Sequence, residues 1–275
     1  MNNNSYKLSI ITICYNEPEL EKTCESIVNQ SWQDFEWIVI DGGSNHETLD
    51  IFNKYKHRIN HFISEPDNGR YNAMNKGLKL ATGEYVNFLN AGDYYENNMV
   101  LEKVINYGLD KDIVFGDLNF EDNKNITPWI LPNKIDFPFL YVSALPHPSS
   151  FIKKTLFDKF GGYNENYKIV SDWEKWLVFI LLNHCSYKHI DLICCRFNIN
   201  GISATHRELI KQERTEVLHK YFSDKELAKA EKITRQQNTL QYSKLEKIFS
   251  IKNSSNKKHK IITIFGLQLK LRKKK

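Results

Sequence analysis

No stretch of this chain stays apolar for the ~20 residues that a membrane-spanning helix needs. The densest run, Trp176 to Leu182, is far shorter. The opening residues, Met1-Asn2-Asn3-Asn4-Ser5-Tyr6-Lys7, lack an apolar signal core, so retention inside the cell is expected. Cysteine is scarce. Cys14, Cys24, Cys185, Cys194 and Cys195 are odd in number and lack metal-type spacing. They read as small buried side chains in a reducing compartment, not as a disulfide framework. No Gly-x-Gly-x-x-Gly follows the first apolar run and no P-loop occurs, which argues against dinucleotide binding and P-loop phosphate chemistry. No internal repeat is visible.

Negative charge is missing from one end. The formal net charge is +5, yet Lys252 to Lys275 holds nine Lys/Arg and no Asp/Glu, so the body is mildly acidic. Such asymmetry suits a tail with its own partner and speaks against a nucleic-acid-binding core. Hydrophobic content of 41% with 26% charged residues is ordinary for a globular chain of 275 residues, long enough to bury a substantial core.

What the chain does have is three polar clusters, each directly after an apolar run. Leu8 to Cys14 leads into Tyr15-Asn16-Glu17; Phe35 to Ile40 leads into Asp41-Gly42-Gly43-Ser44; Glu84 to Leu89 leads into Asn90-Ala91-Gly92-Asp93. In open α/β sheets, ligands bind beyond the carboxyl ends of the strands, so three such clusters would line one cleft. An aromatic for a base, a carboxylate for base or ribose, and an aspartate for a diphosphate's metal together suit a sugar nucleotide.

Strand and helix signals alternate through the first half. This predicts an α/β fold, a mostly parallel mixed sheet with helices on both faces, followed by a helical C-terminal extension and a basic tail. Asn16 is placed to cap a helix carrying Leu20, Cys24, Ile27 and Val28 on one face. Further helices are expected over Glu47–Tyr55, Tyr71–Ala81, Val100–Tyr107 and Asp172–Leu182, and short strands over His61–Ser64, Asp112–Phe115 and Tyr187–Asn198. Five prolines between Pro128 and Pro148 predict a loop-rich wall for a second site. The expected division is 1–205 as the main domain, its halves 1–116 and 117–205, then 206–250 as a helical extension and 251–275 as a β-prone basic tail.

Tyr15 is placed to stack on a base or to pack at a strand end, and Glu17 to touch the base or cap a helix. Asp41 precedes glycines that let a ligand approach the backbone, though an aspartate there also suits a plain turn. In Glu65-Pro66-Asp67-Asn68-Gly69-Arg70, Asp67 is within reach of a nucleotide and Arg70 suits a phosphate oxygen; a solvated turn is the alternative for both. Asn72 and Asn75 share a helical face that would aim two amides at the cleft. Asp93 is the candidate ligand for Mg²⁺ or Mn²⁺. Asp172, at a helix N-terminus, is the candidate base, since the helix dipole favours its ionised form. Glu174 and His147 are candidates for the acceptor side, and His206 is a remote candidate for the metal.

Taken together these residues resemble family 2 glycosyltransferases with the GT-A type, Rossmann-like fold, and within them bacterial enzymes of surface-polysaccharide assembly. The resemblance runs over about the first 205 residues, through Ser9–Glu17, Asp41–Ser44, Glu65–Tyr71, Met74–Gly77, Phe88–Asp93 and Ser171–Glu174. It implies that Tyr15 and Asp41 hold the nucleotide base, with Glu17, Asp67, Arg70, Asn75 and Asn90 also on the donor. It implies Asp93 on a Mn²⁺ or Mg²⁺ ion and Asp172 as the base of an inverting hexosyl transfer from a nucleotide-diphosphate sugar to a glycan or lipid-linked hydroxyl. The chain departs from the pattern at Asn90 and Asn72, where relatives often carry aspartate, and at Val178, where an arginine commonly follows the Trp-Leu pair.

Leu267, Leu269 and Leu271 alternate with polar residues, a strand period, and Gly266 suits a turn between two short strands. With its basic rim the tail suits either contact with an anionic membrane, hence a peripheral place at the inner face, or a disordered terminus. The rivals to a transferase are a non-catalytic sugar-nucleotide-binding or scaffold protein, and a sugar nucleotidyltransferase. The last would bring a Gly-rich basic loop after its first strand, and Tyr15 to Glu21 has none.

Overall fold

The computed structural model describes residues 6–121, 125–198, 206–253, 259–264 and 267–272. The expected turn at Gly266, the first five residues and the last three lysines lie outside these. Contacts divide the chain into two units, 1–136 with 143–220, and 137–142 with 221–275.

The first unit is built on a nine-stranded mixed sheet. Its strands are β1 (Leu8–Cys14), β2 (Phe35–Asp41), β3 (His61–Ser64), β4 (Tyr85–Phe88), β5 (Tyr94–Tyr95), β6 (Ile113–Glu121), β7 (Ile126–Trp129), β8 (Ser150–Lys153) and β9 (Tyr187–Asn198). They lie in the order β3-β2-β1-β4-β8-β6-β9-β5, with β7 paired to β6. β1 to β4 run parallel, while β8 is antiparallel to β4 and β6. β1 and β2 are apolar almost throughout because strands in the middle of a parallel sheet are covered on both faces.

The helices are α1 (Leu20–Val28), α2 (His46–Tyr55), α3 (Arg70–Leu80), α4 (Val100–Tyr107), α5 (Phe137–Val142), α6 (Lys154–Phe160), α7 (Ser171–Trp176), α8 (Arg207–Tyr221) and α9 (Asp224–Ile248). Leu20, Cys24, Ile27, Phe52, Val100 and Val104 join one core with Ile10, Trp37 and Val39. On the other sheet face α3 lies against β1, where a Cβ on Gly77 would stand 2.5 Å from Ile11 Cγ2. Helices therefore cover both faces, as the alternating signals predict.

Local outcomes differ from expectation in instructive ways. Asn16 does not cap α1, which starts at Leu20; it takes φ +49 and bonds the β2 loop instead. Asn45 is the helix cap that the sequence reading missed, its side chain accepting from Thr48 N at 3.0 Å. The expected helix at 172–182 is α for one and a half turns and then π-helical over Leu177–Leu182. The start of the proline-rich stretch is more ordered than expected: β6 runs on to Glu121 and pairs antiparallel with β7, which carries Pro128.

One buried carboxylate organises the floor of the sheet. Glu36, the second residue of β2, is 1% exposed and accepts from Thr82 N (2.5 Å), Gly83 N (3.0 Å), Thr82 Oγ1 (3.1 Å) and Ser9 Oγ. It thereby fixes the turn that joins α3 to β4, and so the height at which β4 delivers Asn90 to Asp93.

In the second unit, α5 packs with α9 and Phe137 stacks on Phe222 with ring centroids 4.3 Å apart. β10 (Phe249–Asn253), β11 (His259–Ile264) and β12 (Leu267–Arg272) form an antiparallel sheet, so the strand period of the tail is real.

Replacing Glu36 with alanine should take the shared acceptor from Thr82 N and Thr82 Oγ1 and leave Gly83 N with Ser9 Oγ alone, at a cost of on the order of 1–3 kcal/mol. A fall in the thermal unfolding midpoint is the expected result, and an unchanged midpoint would show that the turn holds without it.

Candidate active site

The parallel register sets Cys14 beside Asp41 and Asp41 beside Ser64, so three strand ends stand abreast. Asp41 is fully buried. Its Oδ2 accepts from Ser64 Oγ (2.6 Å), Ser44 N (3.0 Å) and Gly43 N (3.2 Å), while its Oδ1 is buried with no hydrogen-bond partner. A buried acceptor left unmatched is costly, and a ligand N–H would satisfy it. A Cβ on Gly42 would lie 2.7 Å from Asp67 Oδ2 and 3.4 Å from Tyr15 Cδ2, so the missing side chain leaves room for the Asp67 carboxylate in its present position, beside the Tyr15 ring. Tyr15 itself is 67% exposed, its ring open to solvent beside that spot. Tyr15, Asp41 and Asp67 thus form one patch. Cys14 beside them is inert: burial foremost, with the charges of Asp41 and Glu17, pushes its thiol up to about 12.

The next strand end along the sheet carries Asn90 to Asp93. Ala91 N donates to Ile13 O, which lays this loop along β1. Thr23 on α1 grips it twice, accepting from Gly92 N and donating to Asp93 O. Gly92 has φ +96, and a Cβ there would stand 3.3 Å from the carboxyl carbon of Glu17. Glu17 therefore lies against the Asp93 loop, its Oε1 also accepting from Glu19 N. No three His, Cys, Asp or Glu side chains gather in a metal-type cluster among the described residues. A buried carboxylate at Asp93 with a second near its loop fits a divalent ion that arrives on a diphosphate. Such ions use one or two carboxylates and draw their other oxygens from phosphate and water.

Asp172 opens α7 and its side chain is 22% exposed. Oδ1 accepts from Tyr71 OH and from Trp173 N, both at 2.9 Å, and Oδ2 faces His147 Nδ1 at 3.3 Å. Burial is the largest influence on this carboxyl and pushes its pKa up. The His147 hydrogen bond and charge, then Tyr71 and Trp173, outweigh burial and hold the group below its usual range. His147 Nε2 in turn lies 2.9 Å from Asn90 Nδ2. Asp172 and the Asn90–Asp93 loop, far apart in sequence, are therefore linked through a single imidazole.

Other candidates are placed differently. Asn75, expected on the donor, instead braces a loop: its Nδ2 donates to Tyr163 O and Glu165 Oε1, and its Oδ1 accepts from Tyr163 N. Asn72 likewise donates to Glu165 Oε2. Helix periodicity put both amides on one face, as predicted, but that face meets residues 162–165 and not the patch. Glu174, expected on the acceptor side, is 3% exposed and paired with Lys220 at 2.9 Å, because α8 covers it. Arg70 is half-buried at the start of α3 and has no ion-pair partner among the described residues.

Several residues that shape the site went unread in the sequence. Tyr71, taken as a core residue of α3, also donates to Asp172. Glu213 on α8 accepts from the backbone N–H of Lys168, Ile169 and Val170, fixing the approach to α7. Arg214 stacks on the Trp173 ring at 4.5 Å. Asn87 donates to Pro148 O and Ser150 O from the middle of β4. Only Asn87 left a signal, a polar residue inside an apolar strand.

The comparisons agree with this architecture. Residues 9–167 match the family model described as glycosyl transferase family 2. An uncharacterized glycosyltransferase of Mycobacterium tuberculosis is 30% identical over 220 residues, spanning 73% of this chain and 78% of that one. A PGL/p-HBAD biosynthesis glycosyltransferase of Mycobacterium bovis is 32% identical over 173 residues, covering 60% of this chain and 66% of that one. Among solved structures, Staphylococcus aureus TarS 1–349 in complex with UDP superposes with a TM-score of 0.58 at 20% identity, over 70% of this chain and 60% of that chain. Its complex with UDP-GlcNAc gives 0.60 at 18%, over 83% and 70%. These likenesses in structure speak for the fold, and the matches in sequence for the family: the chain belongs to glycosyl transferase family 2.

Proposed function

We propose that the chain is an inverting, metal-dependent hexosyltransferase that moves a sugar from a nucleotide-diphosphate donor to a hydroxyl of a glycan acceptor in bacterial surface-polysaccharide synthesis. The observation that carries this reading is the run of close contacts from Asn90 Nδ2 to His147 Nε2 (2.9 Å) and from His147 Nδ1 to Asp172 Oδ2 (3.3 Å). It sets a candidate base beside the loop that bears the candidate metal ligand. The relative in PGL/p-HBAD biosynthesis and the neighbour solved in complex with UDP-GlcNAc support the substrate class.

In this reading Tyr15 stacks on the nucleobase, Asp41 Oδ1 accepts a base N–H, and Asp67 closes the patch over Gly42. Arg70 is available to a phosphate oxygen. Asp93, with Glu17 near its loop, would hold Mn²⁺ or Mg²⁺, which when bound neutralises charge on the departing diphosphate. Asp172 takes the acceptor's hydroxyl proton as that oxygen bonds to the anomeric carbon from the opposite face. The bond to the diphosphate breaks and its electron pair leaves with the phosphate. The depressed pKa keeps Asp172 ionised at neutral pH, so the base is ready before the acceptor arrives, and positioning supplies most of the acceleration.

The lipid-linked acceptor belongs to the same proposal. The nine Lys/Arg after residue 251 would meet an anionic membrane at the inner face, each near the surface worth ~1 kcal/mol. Deleting residues 259–275 should abolish co-sedimentation with phosphatidylserine vesicles, and unchanged sedimentation removes the membrane from the proposal.

Asp172→Asn should bind donor normally and lower turnover about 10²–10⁴-fold; transfer at the wild-type rate would end the assignment of the base. Because the folded pKa of Asp172 is depressed, the base stays ionised below the ordinary value of about 3.9, whereas the stability it contributes is full above that value and is lost progressively as pH falls from there through the lower folded value. The acid limb of the rate profile should accordingly sit below that of an ordinary carboxylate. Tyr15→Ala, at an exposed position, should leave the unfolding midpoint in place and weaken UDP binding by about 5- to 150-fold, the worth of one base stack, as read by calorimetry.

A further inference from the structure

His147 stands between two groups of different hydrogen-bonding capacity. Toward Nε2 it meets the Asn90 amide nitrogen, which can only donate; toward Nδ1 it meets the Asp172 carboxylate, which when ionised can only accept. A neutral ring satisfies both in one way, with its proton on Nδ1 and its lone pair on Nε2. The ring is held in place to do so. Its side chain is 14% exposed, and Asn87 ties the adjoining backbone to β4 through Pro148 O (3.0 Å) and Ser150 O (2.9 Å). Asn87 is itself oriented by Tyr95 OH at 2.8 Å. β4 and the loop that follows it thus supply both the anchor for the His147 backbone and the partner for its far nitrogen.

One detail bears on the Asn90 amide and another on the Asp172 carboxylate. Its Oδ1 is buried with no hydrogen-bond partner, so the amide is not oriented for its own satisfaction. Turning the amide over would present Oδ1 to Nε2 and draw the proton there, leaving a neutral ring to face the Asp172 carboxylate with a lone pair. At Asp172, Oδ1 accepts from Trp173 N and shares the single Tyr71 hydroxyl proton with Ile169 O, whereas Oδ2 has His147 Nδ1, at 3.3 Å, as its one nearby donor among the described residues. Oδ2 therefore keeps an open lone pair, and the imidazole sets the direction in which it points.

We infer that Asn90 and His147 are positioning residues for the base. Asn90 fixes the His147 proton on Nδ1, and that N–H aims Asp172 Oδ2 as the atom that receives the acceptor's proton. This rests on the reading of Asp172 as the base, and it adds the atom and the device that orients it. The histidine acts through Asp172 and exchanges no proton with substrate. A residue in the acceptor wall and a residue beside the donor loop are in this way coupled, so that the base is aligned only when both loops are in place.

The inference is tested in the full-length protein by two measurements. ¹⁵N shifts of the His147 ring, recorded above its titration, should show the Nδ1–H tautomer in the wild type and a tautomer mixture in Asn90→Leu. A wild-type ring protonated on Nε2 overturns the inference whatever the fate of Asp172 as base. In parallel, donor hydrolysis is measured with UDP-GlcNAc or another donor that the protein turns over. His147→Asn, whose amide nitrogen stands near the place of Nδ1, should stay within about tenfold of wild type. His147→Gln, which reaches the place of Nε2, should fall by on the order of 10²-fold, with UDP affinity unchanged in both. Equal rates for the asparagine and glutamine variants would sink the positioning role. If Asp172→Asn is fully active while the ring is the Nδ1–H form, the base assignment fails and the tautomer device stands alone.

Discussion

Side-by-side parallel strands end together, and most of what this chain does follows from that constraint. The register of β1 with β2 and of β2 with β3 places Cys14, Asp41 and Ser64 in one row. The pairing of β1 with β4 brings the Asn90–Asp93 loop alongside, where Ala91 N reaches Ile13 O. Ser64 Oγ does donate to Asp41 Oδ2, but that bond is not what brings the row together. These polar groups meet because apolar strands covered on both faces have one favourable way to lie together, and the ladder of backbone hydrogen bonds fixes their lengths.

Buried carboxylates then convert that frame into a rigid site. Glu36 collects the turn before β4, Asp41 collects the turn after β2, and Glu213 collects the backbone before α7. Each one accepts two or three backbone N–H groups, and charged acceptors make such bonds the stronger ones. The turn that leads into β4 and the backbone before Asp172 are held by these acids, while Thr23 and Ile13 O hold the loop that carries Asp93. An oxygen left over at such a site, as at Asp41 Oδ1, is then a vacancy that packing does not explain.

The fold was legible because hydrophobic periodicity is local. Apolar runs ended by Gly, Asn or Asp gave β1 to β4 and α2 to α4 within a residue or two, and His61–Ser64 and Val100–Tyr107 agree end to end. Legibility failed where a side chain chose a distant partner. Asn16 had the chemistry of a helix cap but bonds Ser44 and Asn45, and Asn75 had the spacing of a cleft residue but bonds the loop at 163–165. The pairing of β6 with β7 escaped notice because Pro128 lies in an edge strand, where a missing N–H costs no ladder bond.

Residue order alone was enough to set the alternation of strand and helix, the polar clusters at the strand ends, the inert character of the cysteines and the basic terminus. Each of these depends on neighbours within a few positions. Which carboxylate faces which partner was decided only in three dimensions. Tyr71, His147 and Asp172 are separated by up to 101 positions, and nothing local to any of them specifies the others. Their meeting depends on α3 lying over the parallel strands, on β8 turning back antiparallel beside β4, and on α8 holding the approach to α7. Hydrogen bonds are short-ranged and directional, so their partners are known only once the apolar core has set the backbone to within an ångström.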